Sequence, residues 1–255
     1  MYQILICILA GLGAGLGTGF AGMSAAAVIS PMLVTFLKMD PYLAVGVALA
    51  SDVLASAVSA VTYGRNRNLD IRNGLVMMSF VLCFTAVGSY LASIVPKTTM
   101  GSFSVFMTLL LGIKFIVKPV VAPKRRLTQA TAKQKAVRSS VCGALVGLVC
   151  GFVGAGGGMM MLLVLTSVLG YELKTAVGTS VFIMSATALT GAVSHFAIGG
   201  VPDWLTLIVC VVSTLVFAQI AALIANRAQP KTLNRITGII LVLLGAVVLS
   251  VNYFA

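Results

Sequence analysis

Ten apolar stretches divide the chain, at roughly 3–18, 24–38, 41–63, 73–95, 99–118, 137–153, 158–170, 173–197, 203–226 and 232–254. Most are bounded by charged residues, Pro or Gly. A helix needs about 20 apolar residues to cross about 30 Å of hydrocarbon. The third, fourth, fifth and last three stretches meet that length. The pairs 3–18/24–38 and 137–153/158–170 are short and joined through glycine. Only 9% of the 255 residues are charged and 60% are hydrophobic, whereas soluble domains carry about 25% charged residues. The expected class is therefore an all-α integral membrane protein.

The net charge of +12 sits in the loops, in "YGRNRNLDIRN", "IKFIVKPVVAPKRRLTQATAKQKAVR" and "ANRAQPKTLNR". That is the pattern of cytoplasmic loops against anionic lipid, and no nucleic-acid partner is implied. Cys7, Cys83, Cys142, Cys150 and Cys210 all lie in apolar stretches without CxxC spacing. They read as packing residues, with neither a disulfide nor a metal site implied. "MYQILICILAGLG" lacks a basic leader and reads as a membrane segment.

The two halves repeat. A shift of 132 residues carries Gly11, Gly15, Gly19 and Gly22 onto Gly143, Gly147, Gly151 and Gly154. It also carries Leu16 onto Leu148, Phe20 onto Phe152 and the "AVG" at 44–46 onto that at 176–178. The basic loops exchange places. Arg65, Arg67 and Arg72 follow the third stretch, while the matching "IGGVPDW" has no basic residue; Lys97 alone precedes the fifth, while its counterpart has Arg227, Lys231 and Arg235. By the positive-inside rule the halves point opposite ways. The expected organisation is a first membrane repeat over 1–118, a basic cytoplasmic connector over 119–136, and a second, inverted repeat over 137–255. Each repeat has about five segments, the first two short, broken or re-entrant. Both termini are expected outside.

Inverted repeats with glycine-interrupted segments at matching positions point to a secondary transporter and to its binding site. Irregular backbone at membrane depth is tolerated inside protein or beside a watery cavity. A restarting helix offers N–H groups with partial positive charge, which favour anions. Two restarts, near Gly22–Ser24 and Gly156–Gly158, are expected to face each other as a small anion pocket. Gly22, Ser24, Gly154, Gly156, Gly157 and Gly158 are its candidate substrate contacts, with Ser51, Ser56, Thr179 and Ser180 from the neighbouring helices. Gly11, Gly15 and Gly19, like Gly143, Gly147 and Gly151, have the G-x-x-x-G spacing of close helix packing.

Asp52 is the one acid well inside a long apolar stretch, a functional position by default. Asp52, Ser56, Ser59 and Tyr63 share one helix face. Asp52 is a candidate coupling site for a proton or sodium, the alternative being a protonated, hydrogen-bonded structural acid. The matching helix carries Thr179, Ser180, Thr187, Thr190, Ser194 and the single His195, with Met184 where the first half has Asp52. His195 is a candidate gating or proton site, against a plain interfacial role. Gln219 reads as a helix–helix hydrogen bonder, Asp40 before Pro41 as an N-cap, and Lys114 and Lys118 as snorkelling at a cytoplasmic end. There is no catalytic constellation or phosphate loop, so the chain is not expected to be an enzyme or to hold a cofactor or metal.

"GLVCGFVGAGGGMMMLLVLTSVLGYELKTAVGTSVFIMSATALTGAVSHFAIGGV" resembles the second repeat of the sulfite exporter TauE/SafE family, also called the toluene-sulfonate uptake permease family. The glycine cluster, "AVGTS" and "GAVSHFAIGGV" carry the likeness. "GLGTGFAGMSAAAVISPML" is a weaker counterpart, with less glycine. "GVALASD" around Asp52 departs from the Gly-Thr-Ser pattern. The resemblance implies a bacterial inner-membrane transporter of small sulfur-containing or organic anions, such as sulfite or sulfoacetate, by alternating access. Expected partners are that anion, the lipid bilayer, a coupling proton or sodium, and a second copy in a homodimer. The rival readings are an anion channel and an accessory or sulfur-delivery protein using Cys150.

Overall fold

The computed structural model describes residues 1–92, 113, 116–117, 132–153, 157–199 and 202–254. The described residues are helical, with no strand among them. The helices are α1 (Tyr2–Ala21), α2 (Ala26–Leu37), α3 (Pro41–Arg65), α4 (Ile71–Ala92), α5 (Ala132–Val153), α6 (Gly157–Leu163), α7 (Leu173–Gly199), α8 (Trp204–Arg227) and α9 (Pro230–Phe254). A π-helical turn, Val164–Val168, continues α6. Most of the fifth stretch and of the connector, with Lys114 and Lys118, lies outside the described residues.

Among the described residues, four helical stretches are long and apolar enough to cross a membrane: Tyr2–Ala21, Leu43–Arg65, Leu173–Ala197 and Trp204–Arg227. The first differs from the sequence expectation. Instead of a short segment over 3–18, α1 runs 20 residues to Ala21, enough for about 30 Å at 1.5 Å per residue. Gly11, Gly15 and Gly19 lie directly under α8. A Cβ on Gly15 would stand 2.7 Å from Thr214 O and 2.8 Å from Ala218 N, and one on Gly19 would stand 2.6 Å from Ala218 O. Helix α5 starts at Ala132, before the apolar stretch at 137 and inside the basic connector.

Three long pairings organise the molecule: α1 on α8, α5 on α4 and α3 on α7. In the second, Gly143 lies under Met77 and Phe80, and Gly147 under Val81 and Phe84. Backbones that approach this closely gain dispersion contacts that lipid tails cannot match. Between the pairs sits a core built largely from the two broken segments, with Met23, Ile29, Leu33, Met161, Leu162 and Leu165 fully buried. The outer faces are apolar too. On α8, Ile208, Val212, Val216 and Ile220 are exposed at every fourth position, the lipid-facing stripe of a membrane helix.

The first break is a defined turn. Gly22 is left-handed, at φ 61° and ψ 33°, a conformation that costs glycine nothing. Gly22 N–H donates to Thr18 O at 2.9 Å and Met23 N–H to Gly17 O at 3.3 Å, the bonds of a Schellman-type stop. Helix α2 then restarts at Ala26, whose N–H donates to Ser24 Oγ at 3.3 Å. After α2, Asp40 caps α3: Leu43 N–H donates to Asp40 Oδ1 at 3.1 Å. On the other side, Gly170 (φ 69°) ends the second broken segment.

Candidate functional site

The break at 22–25 is enclosed by side chains from four helices. A helix leaves its last carbonyls without intrahelical donors, and here hydroxyls supply them. Tyr63 of α3 donates to Gly19 O at 2.8 Å. Thr237 of α9 donates to Phe20 O at 3.2 Å, Ser180 of α7 to Gly22 O at 2.8 Å, and Thr18 of α1 to Met23 O at 3.0 Å. All four hydroxyl-bearing residues are buried. At membrane depth an unsatisfied carbonyl costs several kcal/mol, so these bonds fix the shape of the turn.

The two breaks touch. A Cβ on Gly158 would lie 2.6 Å from Ser24 N and 2.8 Å from Met23 Cα. Gly158 is thus the place where the second broken segment lies on the backbone of the first. Gly157, beside it, is buried. Gly154 and Gly156 lie outside the described residues. Gly22 meets Ser180, whose Cβ would be 3.0 Å from a Cβ at residue 22.

Asp52 lies beside this junction, fully buried. Ser56 donates to its Oδ1 at 2.7 Å. The Ser24 hydroxyl and the Ala25 amide are the other polar groups that bear on the carboxylate. Its Oδ2 and the Ser59 hydroxyl are the two buried side-chain oxygens without a hydrogen-bond partner among the described residues.

The structure therefore brings together Gly22, Ser24, Gly158, Ser180, Asp52 and Ser56. It does not bring in every candidate. Ser51 is buried and donates to Val47 O on its own helix at 2.8 Å. Thr179 accepts from Asp70 N–H at 3.2 Å, at the α3–α4 loop and away from the break. His195 is half-buried beside Gly46, on the α3–α7 seam. Thr187 and Thr190 bond back to carbonyls of α7. The side chains of Ser194 and Cys150 lie outside the described set. Gln219 accepts from Thr62 Oγ1 at 2.9 Å, the helix–helix bond expected of it.

Two groups escaped the sequence reading. Thr237 sits in an apolar run, and nothing in its spacing marks it as a cap for a helix more than 200 residues away. Asp70 and Tyr171 form a bond of 2.8 Å between the halves. A signal for Asp70 was present: Asp203, at the matching loop, also opens the next helix.

The sulfite exporter TauE/SafE family model matches residues 7–248. The chain belongs to that family. Among similar curated proteins is the Probable membrane transporter protein YunE of Bacillus subtilis (strain 168), 24% identical over 99% of this chain and 100% of that protein. YdhB of the same strain, also named a probable membrane transporter protein, is 22% identical over 85% of this chain and 88% of its own. A probable membrane transporter protein of Haemophilus influenzae (strain ATCC 51907 / DSM 11121 / KW20 / Rd) is 28% identical over 77% and 75%. Membership in this family and the four apolar helices make the chain a multi-pass membrane protein.

Proposed function

We propose that the protein is a secondary transporter of small sulfur-containing or organic anions, sulfite and sulfonates foremost, across the bacterial inner membrane. Its two halves act as inverted repeats that rock about the paired breaks, with Asp52 as the coupling group. The contact of Gly158 with Met23 and Ser24, beside a fully buried carboxylate, carries the reading. A merely structural bundle has no need for two interrupted helices crossing at one point with an acid next to them.

The packing supports duplication. Gly11 and Gly15 meet Ser213, Thr214 and Phe217; Gly143 and Gly147 meet Phe80, Val81 and Phe84. Both the glycines and their contacts recur at the same spacing, and each half's first helix lies on the other half's fourth. Such an exchange ties the halves together. The charge bias of the loops supports a cytoplasmic connector and external termini. The family name supports the substrate class.

Sulfite flux into proteoliposomes tests the proposal, with and without an imposed proton or sodium gradient and with unlabelled sulfonates as competitors. Gradient-driven, competable flux is expected. Flux that runs only downhill and shows no counterflow would make the protein a channel.

A further inference from the structure

The acceptor end of the first break is sealed by the four hydroxyls, but its donor end lies beside the protein's own acid. Helix α2, 12 residues long, opens at this turn with partial positive charge, and the Ala25 amide and Ser24 hydroxyl bear on Asp52. A carboxylate in that position occupies the place an oxyanion substrate would take. Its Oδ1 is engaged by Ser56, while its Oδ2 is buried with no partner among the described residues. We propose that Asp52 is an internal stand-in for the substrate anion, and that a proton taken up on Oδ2 releases the α2 N-terminus to the anion. This rests on the transport reading above and names its coupling ion: one proton bound with each anion.

Like charges a few ångströms apart in a buried site do not both stay ionised. An arriving anion therefore favours the protonated acid, and the protonated acid favours the anion. Among the described residues, nothing else near the carboxylate offers to balance that charge. The groups that bear on Asp52 are Ser56 of α3 and Ser24 and Ala25 of the break, all uncharged. From α7, Ser180 is committed to Gly22 O, and His195 lies farther along, level with Gly46. From α8, Gln219 is committed to Thr62. No Lys or Arg among the described residues bears on the site. Ser59, on the same face of α3, is the next polar group.

The test uses the full chain in nanodiscs and methanesulfonate as probe, because this anion has no proton to exchange near neutral pH. Calorimetric titration in two buffers of different ionisation enthalpy gives the protons taken up per anion. The wild type is expected to take up about one, with affinity falling about tenfold per pH unit on the alkaline side. Asp52→Asn is expected to bind with no proton uptake and no pH dependence, and more tightly than the wild type at high pH. Asp52→Glu is expected to restore uptake, which separates the acid's role from a general loss of folding. Anion binding by the wild type without proton uptake, uptake unchanged in Asp52→Asn, or a requirement for sodium would overturn the proton role and leave the transport reading intact. Absence of binding of methanesulfonate and of sulfite by both the wild type and Asp52→Asn would overturn both.

Discussion

Tyr171, in the turn before α7, donates its phenol to Asp70 Oδ2 at 2.8 Å, and Asp70 also caps α4. Asn73 N–H meets Asp70 Oδ1 at 3.1 Å, and Asp70 N–H donates to Thr179 at 3.2 Å. The α3–α4 loop is thereby fastened to the second half. Gly178 has no side chain where Asn68 O crosses over it.

Removing the phenol oxygen tests this fastening. Tyr171→Phe is expected to lower stability by about 1.5–3 kcal/mol, the worth of a hydrogen bond to a charged group, read from thermal unfolding in detergent. Burial, and then the Asp70 carboxylate beside it, hold the phenol's proton on above the ordinary value of 10.0. A folded-state value raised above the unfolded one gives stability that is whole below about pH 10 and lost as pH rises further. Alkaline destabilisation is therefore expected to be weaker in Tyr171→Phe than in the wild type.

Gly158→Ala is expected to force the two breaks apart. The new methyl would stand 2.6 Å from Ser24 N and 2.9 Å from Met23 C, and backbone does not yield as a flexible side chain does. Overpacking of this kind costs about 1–3 kcal/mol. Gly64→Ala is the control, since its Cβ would meet only the end of Leu69, at 3.3 Å. Loss of unfolding temperature and of anion flux in Gly158→Ala, with both kept in Gly64→Ala, is the expected pattern. Equal behaviour of the two variants would remove Gly158 from the junction.

Much of this was legible in the chain. Hydropathy located the helices because lipid demands long apolar runs, and Gly22 marked the first break because only a left-handed turn stops a helix so abruptly. Asp52 stood out by charge alone. The extent of α1 was not legible. Gly19 lies beyond the end of the apolar stretch at 18, yet α8 lies over the face of Gly11, Gly15 and Gly19 and the helix runs on to Ala21. Ser51, Ser56 and Thr179 looked alike as hydroxyls near the break; Ser56, one turn on from Asp52 on the same face of α3, donates to it, whereas Ser51 donates to Val47 O and Thr179 is taken up by Asp70 N–H.

The two glycine seams make a paired prediction. Gly15 and Gly147 face backbone carbonyls, Thr214 O at 2.7 Å and Val81 O at 2.6 Å. Alanine at either is expected to cost about 1–3 kcal/mol, by equal amounts, since each separates a first helix from the opposite half's fourth. Unfolding temperatures of the two variants check this. A harmless Gly147→Ala beside a damaging Gly15→Ala would show that the seams are not equivalent.

Asp203 is the counterpart of Asp70 and caps α8. Its Oδ2 accepts from Thr206 N–H at 3.1 Å and from Gln3 Nε2 at 2.7 Å. The Thr206 bonds hold its carboxyl below the ordinary 3.8. A depressed value gives stability that is present above the unfolded value and lost as pH falls through the folded one. Acid unfolding is thus expected to begin at higher pH in Gln3→Met, which removes one of the bonds, than in the wild type. Identical acid midpoints would show that Gln3 does not stabilise the carboxylate.

Thr62 and Gln219 join α3 to α8 through one hydrogen bond of 2.9 Å. Hydrogen bonds between membrane helices average about 0.6 kcal/mol, so Thr62→Val, which keeps the shape, is expected to cost about that much. Thr62→Ser keeps the donor and is expected to cost less. The cost should vanish when Gln219→Leu is present, because the acceptor is then gone and no half-buried amide is left unpaired. A cost that persists in the double variant would belong instead to the bond Thr62 makes to Val58 O at 3.0 Å on its own helix.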